Sequence, residues 1–386
     1  MAQNPSIGRE ILPIPDIPVQ AEPAMHASDT QAPPIEPLRP PEGAPNVLIV
    51  LIDDMGFGAT STFGGPIHMP TLDRIAEDGL IYNRFHTTAL CSPTRQALLT
   101  GRNHHSAEMG SVGEVATSMP GNTSVRPNSV ATVAEMLKLN GYNTAAFGKM
   151  HQTPVWETSV SGPFDRWPTG DGFEKFWGFV AGETNQWEPT LFEGTTPTEP
   201  RATPDEGYHI TEEQVDQAIA WVTAQHVMTP DKPFFMYMSY GATHAPHHAP
   251  KEWIDKYRGQ FDKGWDAVRE ETLARQIEAG VVPEGTELTP RPPGVQAWDD
   301  LTDDQRKVGA RLMEAYAGFA EHTDHQYGKV LDELERSGEL DNTLVFYVNS
   351  DNGASAEGLF GSISEILCQN GFRIPVDHQI AVLERD

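Results

Sequence analysis

The sequence predicts an α/β protein with a mostly parallel central sheet and helices on both faces. Two observations predict it. Continuous apolar runs, such as NVLIVLI at 46–52, suit strands buried on both faces, and segments of helical periodicity alternate with them. In addition, four predicted strands end in polar clusters, and ligand crevices of open α/β sheets lie outside the carboxyl ends of the strands.

Residues 1–45 are Pro-rich and poor in periodic apolar residues, which suggests an extended arm that wraps over the remainder, 46–386. After the first strand the pattern predicts a helix over about 71–78, capped by Thr71 and stopped by Gly79. A second covers about 93–100, with Pro93 in its first turn. SVATVAEMLKLNG gives a third, with Ser129 as N-cap and Gly141 as its stop. YNTAAFGKMH reads as a short strand running into a polar loop. Residues 152–210 have little periodicity and are expected to form a long surface excursion, a lid or pocket wall. TEEQVDQAIAWVTAQHV is a helix, with Thr211 and Gln214 in capping-box spacing. KPFFMYMSYGATH is the next strand. Residues 249–302 are expected to be irregular, 303–336 a long amphipathic helix, and TLVFYVNSDNG a last buried strand.

The chain has 386 residues, of which 38% are hydrophobic, enough for a sizeable core. Its formal net charge of −28 makes nucleic acid and anionic membranes poor partners and repels anions at long range. An anion site must therefore rest on a few local cations. Two cysteines, Cys91 and Cys368, do not make a disulfide framework, and Cys368 reads as a small buried hydrophobe. The first residues lack the basic start and apolar core of a secretory signal, and no run approaches the roughly 18 apolar residues of a membrane span. The expected location is cytoplasmic.

The polar clusters are Asp53-Asp54, Lys149-x-His151, His244 and Asp351-Asn352. Singly, each acidic pair is ordinary turn chemistry. Together they offer three carboxylates and one amide oxygen, a set suited to Ca²⁺ or Mg²⁺. A zinc site drawing on His244, His247 and His248 stays open at this level. Cys91 sits just before the predicted helix at 93–100, where the positive end of the dipole would lower a thiol pKa. Arg95, one turn on, can reach back toward it. Lys149 and His151, alternating about Met150, are expected on one side of an extended segment, as an anion site would want.

CSPTR at 91–95 is also the recognition pattern of the type I sulfatases, and the chain resembles that family from about residue 46 to its end. LIDDMGFG, CSPTRQALLTGR, FGKMH, SYGATHAPHH and SDNGASAEG resemble family motifs in the family order, and GFEKFWGFVAGETNQWEP resembles the bacterial arylsulfatase branch. The resemblance implies an alkaline phosphatase-like fold. It also implies oxidation of Cys91 to formylglycine by a formylglycine-generating enzyme, and a Ca²⁺ ion held by Asp53, Asp54, Asp351, Asn352 and the modified residue 91. Arg95 would steady the aldehyde hydrate, and His151 would hydrogen-bond one of its hydroxyls. Lys149 and His244 would hold sulfate oxygens, with His244 near the leaving group. The implied substrate is a small sulfate ester, and the implied activity is that of an arylsulfatase. The alternatives are a phosphonate or phosphate monoester hydrolase of the same superfamily, and an inactive truncated remnant. The last arises because no lysine follows Lys329, where the family has a second sulfate-binding lysine. The family's smaller C-terminal subdomain is likewise expected to be absent.

Overall fold

The computed structural model describes residues 11–15, 21–32, 34–35, 37–354, 371–372 and 374–383. Cys368, with the reading given to it above, lies outside them. Seven strands form one sheet: β1 (Asn46–Leu51), β2 (Asn143–Lys149), β3 (Lys175–Phe179), β4 (Leu191–Glu193), β5 (Thr196–Thr198), β6 (Phe234–Ser239) and β7 (Thr343–Val348). Their order is β5-β4-β3-β2-β6-β1-β7. From β3 to β7 every pairing is parallel, whereas β4 and β5 close the other end antiparallel. Because β2, β6, β1 and β7 are neighbours, the four polar strand ends foreseen in the sequence lie side by side.

The period of two along each strand divides the apolar residues between two cores. Leu48, Val50, Ala145, Phe147, Met236 and Met238 face one core, with helix α4 (Ile210–Met228) and helix α7 (Asp303–Ser337) packed on it. Ile49, Leu51, Ala146, Phe235 and Tyr237 face the other, against Leu99 of helix α2 (Cys91–Thr100) and Ala134 of helix α3 (Val133–Leu139). Burying each large side chain contributes about 1.5–3 kcal/mol, so both faces must stay covered.

Several local expectations are corrected. Helix α1 (Pro70–Asp78) begins before Thr71, so Thr71 is not its cap. Its first N–H groups are instead met by a carboxylate from α7: Asp324 accepts from Thr71 N at 2.7 Å and from Leu72 N at 3.0 Å. Helix α3 is capped by Thr132, not Ser129, and Thr132 accepts from Glu135 N. Helix α4 is capped by His209, whose ring accepts from Thr211 N. Gln214, freed from capping, donates to Phe147 O at 3.1 Å and Ser239 O at 3.4 Å, tying β2 to β6. Residues 152–210 are more than an excursion. The aromatic run Lys175–Phe179 is a largely buried strand on β2, and its unalternating pattern concealed it. Residues 249–302 contain helices α5 (Lys251–Asp255) and α6 (Gly264–Glu278). The fully buried residues of α6 are Gly264 and Gln276, which leaves no buried apolar stripe to read. Finally, β7 is not fully buried: Leu344 and Phe346 are each 48% exposed.

In the arm, the described residues from 21 to 37 are exposed. From Leu38 the chain lies on the domain, passing against Gly141, with Arg39 paired to Asp231 at 3.2 Å and Ala44 packed on the second core. A last described helix, α8, covers Val376–Leu383.

Candidate active site

The site is built where β2, β6, β1 and β7 end. The loop after β1 is stitched to the loop after β6. Asp53 N donates to Ala242 O at 2.8 Å, Thr243 N to Asp53 O at 2.6 Å, and the Thr243 hydroxyl to Asp53 O at 3.0 Å. Tyr316 of α7 donates its hydroxyl proton to Asp54 O at 2.9 Å. Two site residues, Asp54 and His151, have φ near +52°. Non-glycine residues in the left-handed region cost of order 1–3 kcal/mol and gather at functional sites. His151 thus turns out of the extended path expected after β2. It still reaches Cys91, but through the turn and not by alternating with Lys149.

Cys91 is the first residue of α2, and its Sγ lies 3.0 Å from His151 Nδ1. On the far side of the ring, Nε2 is 3.0 Å and 3.2 Å from the two carboxylate oxygens of Glu114. A carboxylate can only accept, so the Nε2 proton belongs there and Nδ1 turns a lone pair toward residue 91. Sequence reasoning did not single out Glu114, which sits in a short 3₁₀ turn of a loop. Gly182 completes this corner: a Cβ there would lie 2.7 Å from His151 Cε1 and Nε2.

Arg95 is fully buried. Its Nε and Nη2 donate to Asp351 Oδ2 at 3.0 and 2.8 Å, and Nη2 is 3.3 Å from Asp53 Oδ1. Nη1 donates to Lys149 O at 3.1 Å and to Ser239 Oγ. Lys149, also fully buried, donates from Nζ to Asp53 Oδ2. Asp351 Oδ1 accepts from Asp54 N at 3.2 Å, and Asn352 Nδ2 donates to Asp54 Oδ1 at 2.6 Å. His244 donates from Nδ1 to Ala245 O at 2.6 Å, and its Nε2 lies 3.7 Å from Asp54 Oδ2. Asp53, Asp54, Cys91, Arg95, Lys149, His151, His244, Asp351 and Asn352 are thus present in one connected cluster.

Burial pushes the Cys91 thiol up, against the opposing pull of Lys149, so the lowered thiol expected from the helix end is not what this environment produces. Burial also works against the charges of Arg95 and Lys149. Nearby carboxylates outweigh it, chiefly Asp351 for Arg95 and Asp53 for Lys149, and raise both above their ordinary values. Burial pushes the Asp351 carboxyl up to about 6, with Asp53 adding to the effect. His151 is held below its usual value by burial, which Glu114 partly offsets.

Asp53, Cys91 and Asp351 offer ligand atoms all within 4.8 Å of one another, the one such grouping among the described residues. No histidine belongs to it, so His247 and His248 do not form a zinc site with these carboxylates. The donor set suits a hard cation. Asn352 Oδ1 is buried without a hydrogen-bond partner, a costly state that an oxygen-seeking cation would relieve, and Asp53 Oδ1 has the ion-pair contact with Arg95 but no hydrogen bond. Three carboxylates face two buried cations, an excess of one negative charge. A divalent ion would turn that into an excess of one positive charge, as an anion site needs.

The adjacent carboxyl ends of a parallel sheet thus gather carboxylates, a lysine, an arginine and two histidines in one cluster. The comparisons narrow this. The Sulfatase family model matches residues 45–376, and the chain belongs to the sulfatase family. It is 32% identical over 363 residues to an uncharacterized sulfatase of Schizosaccharomyces pombe, covering 86% of this chain and 61% of that protein. It is 31% identical over 328 residues to the arylsulfatase of Klebsiella aerogenes, covering 82% of this chain and 68% of that one. The chain therefore spans between three-fifths and just over two-thirds of the length of these relatives. The fold matches that of the PsFucS1 sulfatase from Pseudoalteromonas (TM-score 0.53, 18% identity, 80% of this chain and 55% of that one). It also matches the phosphonate monoester hydrolase of Agrobacterium radiobacter (TM-score 0.51, 20% identity, 80% and 62%). No helix among the described residues is long and apolar enough to cross a membrane.

Proposed function

We propose that this chain carries the catalytic centre of an arylsulfatase, which cleaves sulfate monoesters with formylglycine derived from Cys91 and a bound Ca²⁺. The observation that carries the reading is the meeting of Cys91, Asp53 and Asp351 within 4.8 Å, ringed by Arg95, Lys149 and His151. Sγ of Cys91 stands where a hydroxyl oxygen of the hydrated aldehyde would stand. The hydrate supplies a nucleophile that can later be released as aldehyde, and the ion supplies charge stabilisation for the sulfate oxygens. Asp53, Asp54, Asp351 and Asn352 would hold the ion. His151 holds a proton acceptor 3.0 Å from residue 91, oriented by Glu114. Lys149 and Arg95 would offset the negative charge that grows on the non-bridging oxygens. His244, anchored on the Ala245 carbonyl, would lie near the leaving group.

The test is co-expression with a formylglycine-generating enzyme. Mass spectrometry of the peptide containing Cys91 should show the aldehyde, and 4-nitrophenyl sulfate should be hydrolysed in a calcium-dependent way. Cys91→Ala should abolish that turnover. An intact, alkylatable thiol in a fully active preparation would sink the reading. Faster turnover of the matching phosphonate ester would move the chain to the phosphonate hydrolases. Calcium-dependent thermal stabilisation without turnover would mark it as a metal-binding remnant.

A further inference from the structure

A pocket beside the catalytic cluster is left unused by the mechanism above. Its volume is about 520 Å³, within the range of small-molecule sites. Phe179, Val180 and Phe192 form an apolar floor, and none is more than 8% exposed. The wall carries neutral polar side chains, Thr158, Thr184, Asn185 and Thr190. Two carboxylates border it as well: Glu188 is exposed, and Glu183 is engaged, with Oε2 3.8 Å from His244 Nδ1. Space and an apolar floor, not charge, are what the pocket offers a ligand.

Its position ties it to the reaction. The segment 179–183 borders the pocket and also touches the cluster. Phe179 O accepts from Met150 N at 3.0 Å, between Lys149 and His151. A Cβ on Gly182 would lie 2.7 Å from His151 Cε1 and Nε2. Pro246, another lining residue, follows His244 by two positions. The pocket thus lies beside both histidines.

The volume decides the class of organic group. An apolar cavity of about 150 Å³ holds one benzene ring. On that scale this pocket has room for roughly three rings. We propose that it receives the organic part of the ester and is built for a fused-ring aryl group of about three rings, in preference to a single ring. This rests on the sulfatase reading, in which the sulfate would sit at residue 91 and the leaving oxygen near His244. The rings then lie on the floor of Phe179, Val180 and Phe192, where each added ring face gains from burial. A single ring leaves most of that floor to water.

The experiment compares phenyl, 2-naphthyl and 2-phenanthryl sulfate, whose leaving groups are of similar acidity, on the full chain after co-expression with a formylglycine-generating enzyme. The value of kcat/KM is expected to rise about fivefold or more with each added ring, the scale that apolar burial sets. Thr190 is exposed where it lines the pocket, so Thr190→Trp would fill part of the space with an indole. That variant should cut the phenanthryl-to-phenyl ratio about tenfold or more. Thr158→Trp, on a separate segment of the wall, should do the same and serves if the first variant fails to fold. A ratio near one in the natural chain, or a ratio that neither filled variant lowers, overturns the proposal.

A second arm separates this from the sulfatase reading. Phenol and 2-phenanthrol are titrated into unmodified protein and followed by fluorescence and NMR. The pocket predicts saturable binding of 2-phenanthrol at one site, about tenfold or more tighter than phenol, and its loss in Thr190→Trp. If that is seen but no ester is hydrolysed, the pocket assignment stands and the sulfatase reading falls. If esters are hydrolysed with no preference for ring number, the reverse holds. Neither turnover nor selective binding overturns both.

Discussion

Asp351 is the residue on which the buried charges of the site depend. It takes two hydrogen bonds from Arg95 and one from the backbone of Asp54, all out of contact with water. Removing it would strand a guanidinium that cannot lose its proton. Asp351→Ala is expected to cost about 3–5 kcal/mol in stability, the usual penalty for breaking a buried ion pair from one side. Urea unfolding checks this, and any calcium-induced rise in melting temperature should vanish in the same variant. Outside the site, His209 is a buried histidine that its hydrogen-bond partners hold neutral. Its Nε2 donates to His248 O at 2.9 Å and its Nδ1 accepts from Thr211 N at 3.2 Å, so a second proton has no place to go. Burial, with His322 beside it, pushes its pKa down to about 3. The unfolded chain takes up that proton below about pH 6.5 whereas the folded chain does not, so this contribution to stability is present above pH 6.5 and is lost as pH falls. The stability gap between the natural chain and His209→Gln should therefore narrow by about 2 kcal/mol from pH 7 to pH 5. Denaturant melts at the two pH values decide it, and a gap that widens would contradict the assignment. At this scale much was legible in the sequence: each motif residue sits in the cluster. Glu114 and Gly182 were not, because each acts through the His151 ring, and contact with a ring brought from another segment leaves no trace in local spacing.

Among the elements, β2 shows how a glycine can be fixed by its neighbours. Gly148 has φ +98°, and a Cβ there would lie 2.0 Å from Ser239 O and 2.6 Å from Gln214 Oε1. Gly148→Ala should cost well over 2 kcal/mol, since backbone strain and a backbone clash add. Gly194, at φ +61° with nothing within 4 Å of its Cβ position, separates the two effects. Gly194→Ala should cost only about 1 kcal/mol. Thermal or denaturant unfolding of both variants is the measurement, and equal losses would show that the close approach in β2 is not felt. The elements also show why some boundaries were hidden. Strands β1 and β6 were plain because both faces are buried and the apolar run is unbroken. Helix α7 was plain because its apolar stripe is long and Thr302 and Gln305 cap it reciprocally. Helix α1 was placed closely but its cap was not, because the capping group comes from Asp324, far along the chain. Helix α6 was missed because its fully buried positions are a glycine and a glutamine, which leave no apolar periodicity for the reading to depend on.

For the molecule as a whole, the −28 charge opposes every encounter with a sulfate ester until the substrate reaches the local cations. Salt screens that distant repulsion over about 10 Å at 0.1 M but leaves the buried contacts nearly untouched. The value of kcat/KM for an anionic ester should therefore rise severalfold between about 10 mM and 150 mM salt, while kcat changes little. Steady-state kinetics across ionic strength test this, and a falling kcat/KM would mean that steering is favourable, not adverse.

Helix α7 has a consequence for motion. It is a rod of 35 residues, about 52 Å long. Tyr316 on it holds the Asp54 carbonyl, Asp324 holds the start of α1, and Glu333 accepts from Thr223 of α4. A helix gripped at three points along its length cannot fray in the middle without releasing all that it grips. Solvent access to the amides of the Asp54 loop, of α1 and of the middle of α7 should thus require a single shared opening and not three separate local ones. Hydrogen–deuterium exchange should report opening free energies for these three segments within about 1 kcal/mol of each other. The catalytic floor would then breathe only when the rod itself lets go.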